Sequence, residues 1–272
     1  MIALEFQDFS CYYKNKKEYV TALDRISLSV KQGELLVVLG QSGSGKTTLL
    51  KCVLGLCDYI SGALFIDGVA TDDFRLKDSN IGYIRQELNL YPHMTVYDNI
   101  AFPLRMIHTP QSEVDRRVKE IAALLEVDWL LTRKPRQLSG GQLQRIAIAR
   151  ALVKNPVTVL FDEPFSNIDP TLRTELRQLV KKIHQAFGCT ILFVTHDLTD
   201  ALSLADRVVI LESGKIEAIG TPQELLPGSG CHPAFLHHLH RSQGLPEPQA
   251  PSSVAPIERE QVTLPPPAQC PC

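Results

Sequence analysis

Two kinds of apolar run alternate along this chain. Ala3–Phe9 and Ile26–Val30 intersperse apolar with polar residues, the pattern of strands with one face buried. Leu35–Leu39, Val157–Phe161 and Thr190–Thr195 are apolar or β-branched almost throughout, the composition of strands buried on both faces. Turn residues bound two further strands, Gly62–Gly68 and Asn80–Arg85, and the turn Ser213-Gly214 joins a closing pair, Val208–Leu211 and Lys215–Ile219. Helical spacing enters at Leu49–Leu54 and dominates residues 87–153. There Ser112-Glu113-Val114-Asp115 opens a helix with an acidic first turn, and Val114, Val118, Ile121 and Leu125 share one face. Leu143–Val153 is a second helix of that region, which reads as an inserted helical subdomain. Asp169 caps a later helix that has Pro170 in its first position and runs to about Phe187. Tyr12–Lys17 reads as a polar turn carrying two aromatics, and Tyr91–Val96 as a loop.

At 272 residues the expectation is one main domain with a subdomain or tail. A net charge of −2 argues against a general nucleic-acid binder, which needs a basic surplus to neutralise phosphates. The first residues, Met1–Phe6, lack a basic-then-apolar leader pattern, and no apolar run has the length of a membrane span, so a soluble cytosolic chain is expected. The seven cysteines follow no framework spacing and are expected as reduced thiols, with Cys270-Pro271-Cys272 read as tail sequence. His232, His237, His238 and His240 lack partners at metal-ligand spacing and read as surface residues of a helical segment over 226–240. From 241 to 272 the chain holds eight of its 18 prolines, and disorder is expected there.

The chemistry gathers at strand ends. Gly40-Gln41-Ser42-Gly43-Ser44-Gly45-Lys46-Thr47-Thr48 stands between the strand at Leu35–Leu39 and the following helix, the setting a phosphate-binding loop requires. Its glycines let successive N–H groups turn inward, the helix N-terminus adds partial positive charge, Lys46 can reach outer phosphates and the Thr47 hydroxyl can bind Mg2+. The run at 157–161 delivers Asp162-Glu163, adjacent carboxylates that repel each other and call for water or a cation. Beside a phosphate loop they suit Mg2+ (Asp162) and the orientation of an attacking water (Glu163). The strand at 190–195 ends in His196, aimed at the same crevice. Gly140 and Gly141 free backbone N–H groups at a helix start, which makes a candidate anion site. An aromatic side chain near a nucleotide can stack on its base, which brings Tyr12 and Tyr13 into view.

In their order and spacing the phosphate loop, Gln86, Leu138-Ser139-Gly140-Gly141-Gln142, Asp162-Glu163-Pro164 and His196 resemble the ATP-binding subunits of ABC transporters, over roughly residues 2–225. The resemblance implies an α/β fold: a P-loop NTPase core with a RecA-like parallel sheet, an N-terminal antiparallel β subdomain and an inserted helical subdomain at about 87–153. The ATPase domain would cover 1–225. Leu90–Phe102 and Asp162–Asn167 are most similar to sugar-importer ATPases, whose C-terminal β-rich regulatory domain has no counterpart in the proline-rich tail. Ser166-Asn167-Ile168-Asp169 stands where the family has its D-loop.

The resemblance also implies the ligands, ATP and Mg2+, and the site residues. Tyr13, with Tyr12 as the other candidate, would stack on adenine. Gly40, Ser42, Gly43, Ser44, Gly45, Lys46, Thr47 and Thr48 would cradle the phosphates; Thr47, Gln86 and Asp162 would serve the metal. Glu163 would activate water, with Lys46, Gln86 and His196 at the γ-phosphate. Two such subunits, identical or different, would close head to tail, so that Ser139, Gly140, Gly141 and Gln142 of one complete the site of the other. The implied setting is the cytoplasmic side of a membrane, as a peripheral partner of transmembrane permease subunits, without nucleic acid. A permease helix is expected to dock beside Gln86 and the loop from Tyr91 to Phe102, which would expose Tyr91, Met94 and Tyr97. Import of a sugar or related small solute is the leading expectation. An exporter ATPase, and a soluble ABC ATPase of DNA repair or translation, are the alternatives; a P-loop kinase or GTPase does not account for Leu138–Gln142.

Overall fold

The structure, a computed structural model, describes residues 1–15, 18–57, 59–71, 80–166 and 168–225. The expected segments 226–240 and 241–272, with the histidine cluster and Cys231, Cys270 and Cys272, lie outside the described residues, as does Asn167.

Two sheets organise the molecule. The antiparallel one has the order β2-β1-β4-β5, built from β1 (Ile2–Asn15), β2 (Glu18–Lys31), β4 (Tyr59–Ile66) and β5 (Val69–Ala70). The larger one has the order β10-β9-β3-β8-β7-β6. It comprises β3 (Leu35–Leu39), β6 (Ile81–Ile84), β7 (Thr158–Asp162), β8 (Thr190–Thr195), β9 (Arg207–Glu212) and β10 (Lys215–Gly220). All its pairings are parallel except the edge pair β9–β10. This is the α/β core expected from the continuous apolar runs, and every residue of β3, β7 and β8 is buried.

Alternation along those strands divides the interior in two. Val37, Phe161 and Phe193 face a cluster shared with α2 (Val96–Met106), α3 (Gln111–Leu124), α4 (Gly140–Leu152) and α5 (Pro170–Phe187). Val38, Leu160 and Leu192 face the other cluster, shared with α1 (Lys46–Val53) and the antiparallel sheet. The helices between β6 and β7 therefore pack into the same apolar mass as the sheet.

Caps set the helix starts. Thr95, Ser139, Asp169 and Asp197 accept backbone N–H groups at the starts of α2, α4, α5 and the short α6 (Leu198–Leu204), and Gly188, in the left-handed region, ends α5. α6 and α7 (Pro222–Leu225), the last helix among the described residues, are too brief to leave a periodic signal in the sequence.

Two expectations are corrected. Tyr12–Asn15 is not a turn: it continues β1, pairing Tyr12 with Thr21 and Tyr13 with Val20, because ladder hydrogen bonds hold a ribbon whose side chains are largely polar. The strand expected over Gly62–Gly68 runs instead from Tyr59 to Ile66, since Asp67 and Gly68 both adopt positive φ and form the turn into β5.

Candidate functional site

The loop after β3 forms the floor of the site. Gly45 has φ +105, and a Cβ there would lie 2.6 Å from the Ala22 carbonyl oxygen, so only glycine serves. A Cβ on Gly40 would stand 2.4 Å from the Leu211 carbonyl and 2.5 Å from Ser44 Oγ. α1 then begins at Lys46, earlier than its apolar residues suggest, and presents its N-terminus to the loop. Ser44 Oγ is buried without a hydrogen-bond partner among the described residues. Lys46 is 4% exposed, and its Nζ donates to the Gln41 carbonyl at 2.8 Å.

Acidic groups close over this floor from β7. Asp162 is buried; its Oδ1 accepts from Thr47 Oγ1 at 2.8 Å and its Oδ2 from the Tyr83 hydroxyl at 3.0 Å. Burial, and then the charge of Asp162, pushes the Tyr83 phenol up, so it stays a donor. Glu163 adopts φ +45, a left-handed conformation that costs a residue with a side chain on the order of 1–3 kcal/mol. Its carboxylate lies 3.2 Å from Lys46 Nζ through Oε1 and 3.0 Å from His196 Nδ1 through Oε2. Gln86 lines the same cavity of about 320 Å3, along with Ser42, Gly43, Gly45, Lys46, Thr47, Thr48 and Glu163. That volume lies near the small end of ligand clefts, roughly 300–1,000 Å3.

The structure thus brings together the phosphate loop, Gln86, Asp162, Glu163 and His196. Tyr13 is adjacent: its hydroxyl donates to Thr48 Oγ1 at 3.2 Å while its ring stays partly exposed. Tyr12 is half-buried on the neighbouring position of β1. Ser139, Gly140, Gly141 and Gln142 do not line this cavity. Ser139 Oγ and the Gln142 side chain instead form a reciprocal cap at the start of α4. Ser139 and Gly140 are exposed, whereas Gly141 is buried against Leu172.

In the segment from Tyr91 to Phe102 the expected loop covers residues 91–95, with Tyr91 and Met94 half-buried, and α2 begins at Val96. Tyr97 lies inside α2, donates its hydroxyl to Asp115 and packs against the apolar core. The Tyr91 ring packs at a tilt against Phe102, with centroids 4.8 Å apart, and the Arg150 guanidinium lies 5.6 Å from its centroid. Buried Asn99 clamps the Tyr91 backbone, accepting from its N–H at 2.7 Å and donating to its carbonyl at 3.1 Å. These apolar surfaces are satisfied locally, which the run of aromatics alone does not disclose. His93 is exposed and Met94 half-buried.

Sequence reasoning missed the groups behind the site. Tyr83 is one; its place on β6, two positions before Arg85 on a strand leading to Gln86, was the available signal. The others hold the turn carrying His196. Arg173 pairs with Asp197, Arg177 Nε donates to Asp200 at 2.6 Å, and Thr195 Oγ1 donates to the other Asp200 oxygen at 2.9 Å. Burial pushes the Asp200 carboxyl up, and Arg177 opposes that shift.

Chemically, an inward-turned loop, a buried ammonium, an unpartnered buried hydroxyl and a helix N-terminus suit a phosphate chain. A hydroxyl paired with a carboxylate suits a hard divalent cation. Comparisons with known proteins point the same way. The family described as "ABC transporter" matches residues 23–166. The chain is 44% identical over 204 residues to an sn-glycerol-3-phosphate import ATP-binding protein of Psychromonas ingrahamii, covering 75% of this chain and 55% of that one. It is 45% identical over 212 residues to a trehalose/maltose import ATP-binding protein of Thermococcus litoralis, covering 76% and 57% respectively. The chain therefore spans less than two thirds of the length of these relatives. Among solved structures, a dimeric ATP-binding cassette in a post-hydrolysis state bound to ADP and Pi is 33% identical, with a TM-score of 0.72 over 80% of this chain and 98% of that one.

Proposed function

Because this chain belongs to the ABC transporter family, as an ATP-binding subunit, we propose that it hydrolyses ATP to drive a small solute across a membrane through separate permease subunits. The observation that carries the reading is the contact set around Glu163: one carboxylate lies within 3.2 Å of buried Lys46 and 3.0 Å of His196, over a glycine-lined cavity. Phosphoryl transfer requires little covalent chemistry from the protein, so positioning and charge do the catalytic work.

In this scheme the loop from Gly40 to Thr48 binds the phosphate chain and Lys46 neutralises its outer charge. Glu163 orients the attacking water and accepts its proton at a carboxylate oxygen. His196, held by the Asp197–Asp200 turn, fixes the Glu163 carboxylate and donates toward the terminal phosphate. Gln86 stands at the cavity wall, where it can register the terminal phosphate and the metal. Thr47 and Asp162, with Gln86, would hold Mg2+, which when bound offsets phosphate charge. Tyr13 supplies a face for the base. Exposed Ser139 and Gly140 at the start of α4 offer their anion-binding end to a second subunit, the arrangement under which a head-to-tail pair completes each site.

No helix among the described residues is long and apolar enough to cross a membrane, so transport requires partners that do. In this reading the chain works as a peripheral subunit at the cytoplasmic face of the membrane, as the import role of its relatives supports. The import relatives named above support a sugar or related small polar solute. In this reading the permease contact lies on the segment that follows Gln86, at exposed His93 and half-buried Met94. Changing both to Glu should abolish co-purification with the permease and solute uptake while leaving ATP-analogue binding by the isolated subunit intact. Uptake that survives the double change would place the contact elsewhere.

A further inference from the structure

Three cysteines converge beside Tyr13. Cys11 comes from β1, Cys52 from the last turn of α1, and Cys57 from the connection into β4. Their sulfur atoms all lie within 4.8 Å of one another, and Cys52 and Cys57 are 3.4 Å apart. Cys11 and Cys52 are buried, while Cys57 is half-buried and gives the set an approach from solvent. The Tyr13 hydroxyl is 3.9 Å from Cys57 Sγ and 3.2 Å from Thr48 Oγ1, so one side chain touches both the sulfur cluster and the phosphate loop helix.

A buried cysteine alone is a small apolar residue. Three sulfurs in mutual reach are a different object. A tetrahedral ion with metal–thiolate bonds of about 2.3 Å holds its sulfurs about 3.8 Å apart. The cluster brackets that spacing, and small torsional adjustments close it. All three donors are soft, which excludes Mg2+ and Ca2+ as preferred occupants and selects thiophilic ions. Three protein ligands leave a fourth position for water, a common zinc arrangement.

We propose that Cys11, Cys52 and Cys57 form a three-thiolate site for a thiophilic divalent cation of the zinc class, and that its occupancy is felt in the nucleotide pocket through Tyr13. Binding releases the thiol protons to the buffer and leaves the metal oxidation state unchanged. The coupling rests on the nucleotide reading above; the metal site does not.

The test uses the full chain with Cys231, Cys270 and Cys272 changed to Ser, which leaves buried Cys189 as the one thiol outside the cluster. Zn2+ affinity is measured by competition with a chromophoric chelator, and Cd2+ reports sulfur ligation by its thiolate charge-transfer absorption. One equivalent should bind, with the Cd2+ band present. Cys57→Ser, at the half-buried position, should weaken binding by at least the roughly 100-fold that an outer-shell change can reach. Cys57→Ala provides a second variant, and an unchanged thermal transition without metal certifies each fold. No stoichiometric uptake, uptake indifferent to both variants, or a Cys52–Cys57 disulfide in the purified chain overturns the site. In excess Mg2+, one equivalent of Zn2+ should shift the affinity for a fluorescent ATP analogue by at least about fivefold, and Cys57→Ser should abolish the shift. Metal binding with unchanged analogue affinity overturns the coupling alone. An analogue that fails to bind with or without metal overturns the nucleotide reading and the coupling, while the metal titration stands by itself.

Discussion

Replacing Tyr83 by Phe removes a single oxygen, and the structure says what that oxygen does. It donates to Asp162 Oδ2 at 3.0 Å while Thr47 holds Oδ1 at 2.8 Å. Asp162 is 6% exposed, so water has little room to replace the lost donor. A hydrogen bond to a charged group contributes about 1.5–3 kcal/mol. Taking about 2 kcal/mol, and 2–4 °C per kcal/mol for a domain of this size, the melting temperature should fall by roughly 4–8 °C. Circular dichroism melts in EDTA measure it without metal support. The attribution to Asp162 is checked by a cycle with Asp162→Asn. If Tyr83 acts through that carboxylate, the two changes should couple by on the order of 1 kcal/mol, as contacting residues do. Effects that add to within about 0.5 kcal/mol, or a Tyr83→Phe melt matching the parent, would mean that Tyr83 does not support Asp162.

Two further outcomes follow from other parts of the molecule. If the catalytic site is shared between two subunits, mixing the inactive chains Lys46→Ala and Ser139→Arg should restore part of the ATPase activity, since each mixed pair holds one intact site; no recovery at any ratio, with pairing confirmed by light scattering, counts against sharing. On the surface of α3, hydrogen bonds from Arg116 and then Arg117 hold the Glu113 carboxyl down at about 2 from its ordinary 4.5; because the folded value is depressed, its contribution to stability is present above about 4.5 and is lost as pH falls through about 2. NMR titration should show that shift and its reversal in Arg116→Ala, and a Glu113 titrating near 4.5 in the parent chain removes the claim.

Much of the fold was legible because its central strands are buried on both faces. Leu35–Leu39 and Thr190–Thr195 are continuous apolar or β-branched runs, and both ranges match the observed strands. Where polar residues form a ribbon, as at Tyr12–Asn15, the sequence reads as a turn because its ladder partners at Glu18–Thr21 are invisible to local spacing. The phosphate loop, Asp162, Glu163 and His196 were legible because strand ends in an α/β sheet converge on one crevice. Tyr83 was not, since a tyrosine alternating in a strand resembles any packing residue until the Asp162 carboxylate lies opposite. The segment at Tyr91–Tyr97 illustrates the converse: its aromatics suggest an exposed interface, but the Tyr91 ring packs on Phe102 and the Tyr97 hydroxyl bonds Asp115, which leaves both half-buried. The cysteine cluster combines residues from β1, α1 and the loop after it, a grouping that no spacing rule anticipates.

In the proposed reaction Glu163, held between Lys46 and His196, is the base for ATP hydrolysis. Single-turnover hydrolysis of radiolabelled ATP by Glu163→Gln tests it most directly, because the amide keeps the shape of the side chain and removes its proton-accepting charge. ATP should still bind, and the hydrolysis rate should fall by about two orders of magnitude or more, the scale of a lost general base. Hydrolysis within a few-fold of the parent rate, with binding intact, would mean that Glu163 is not the base.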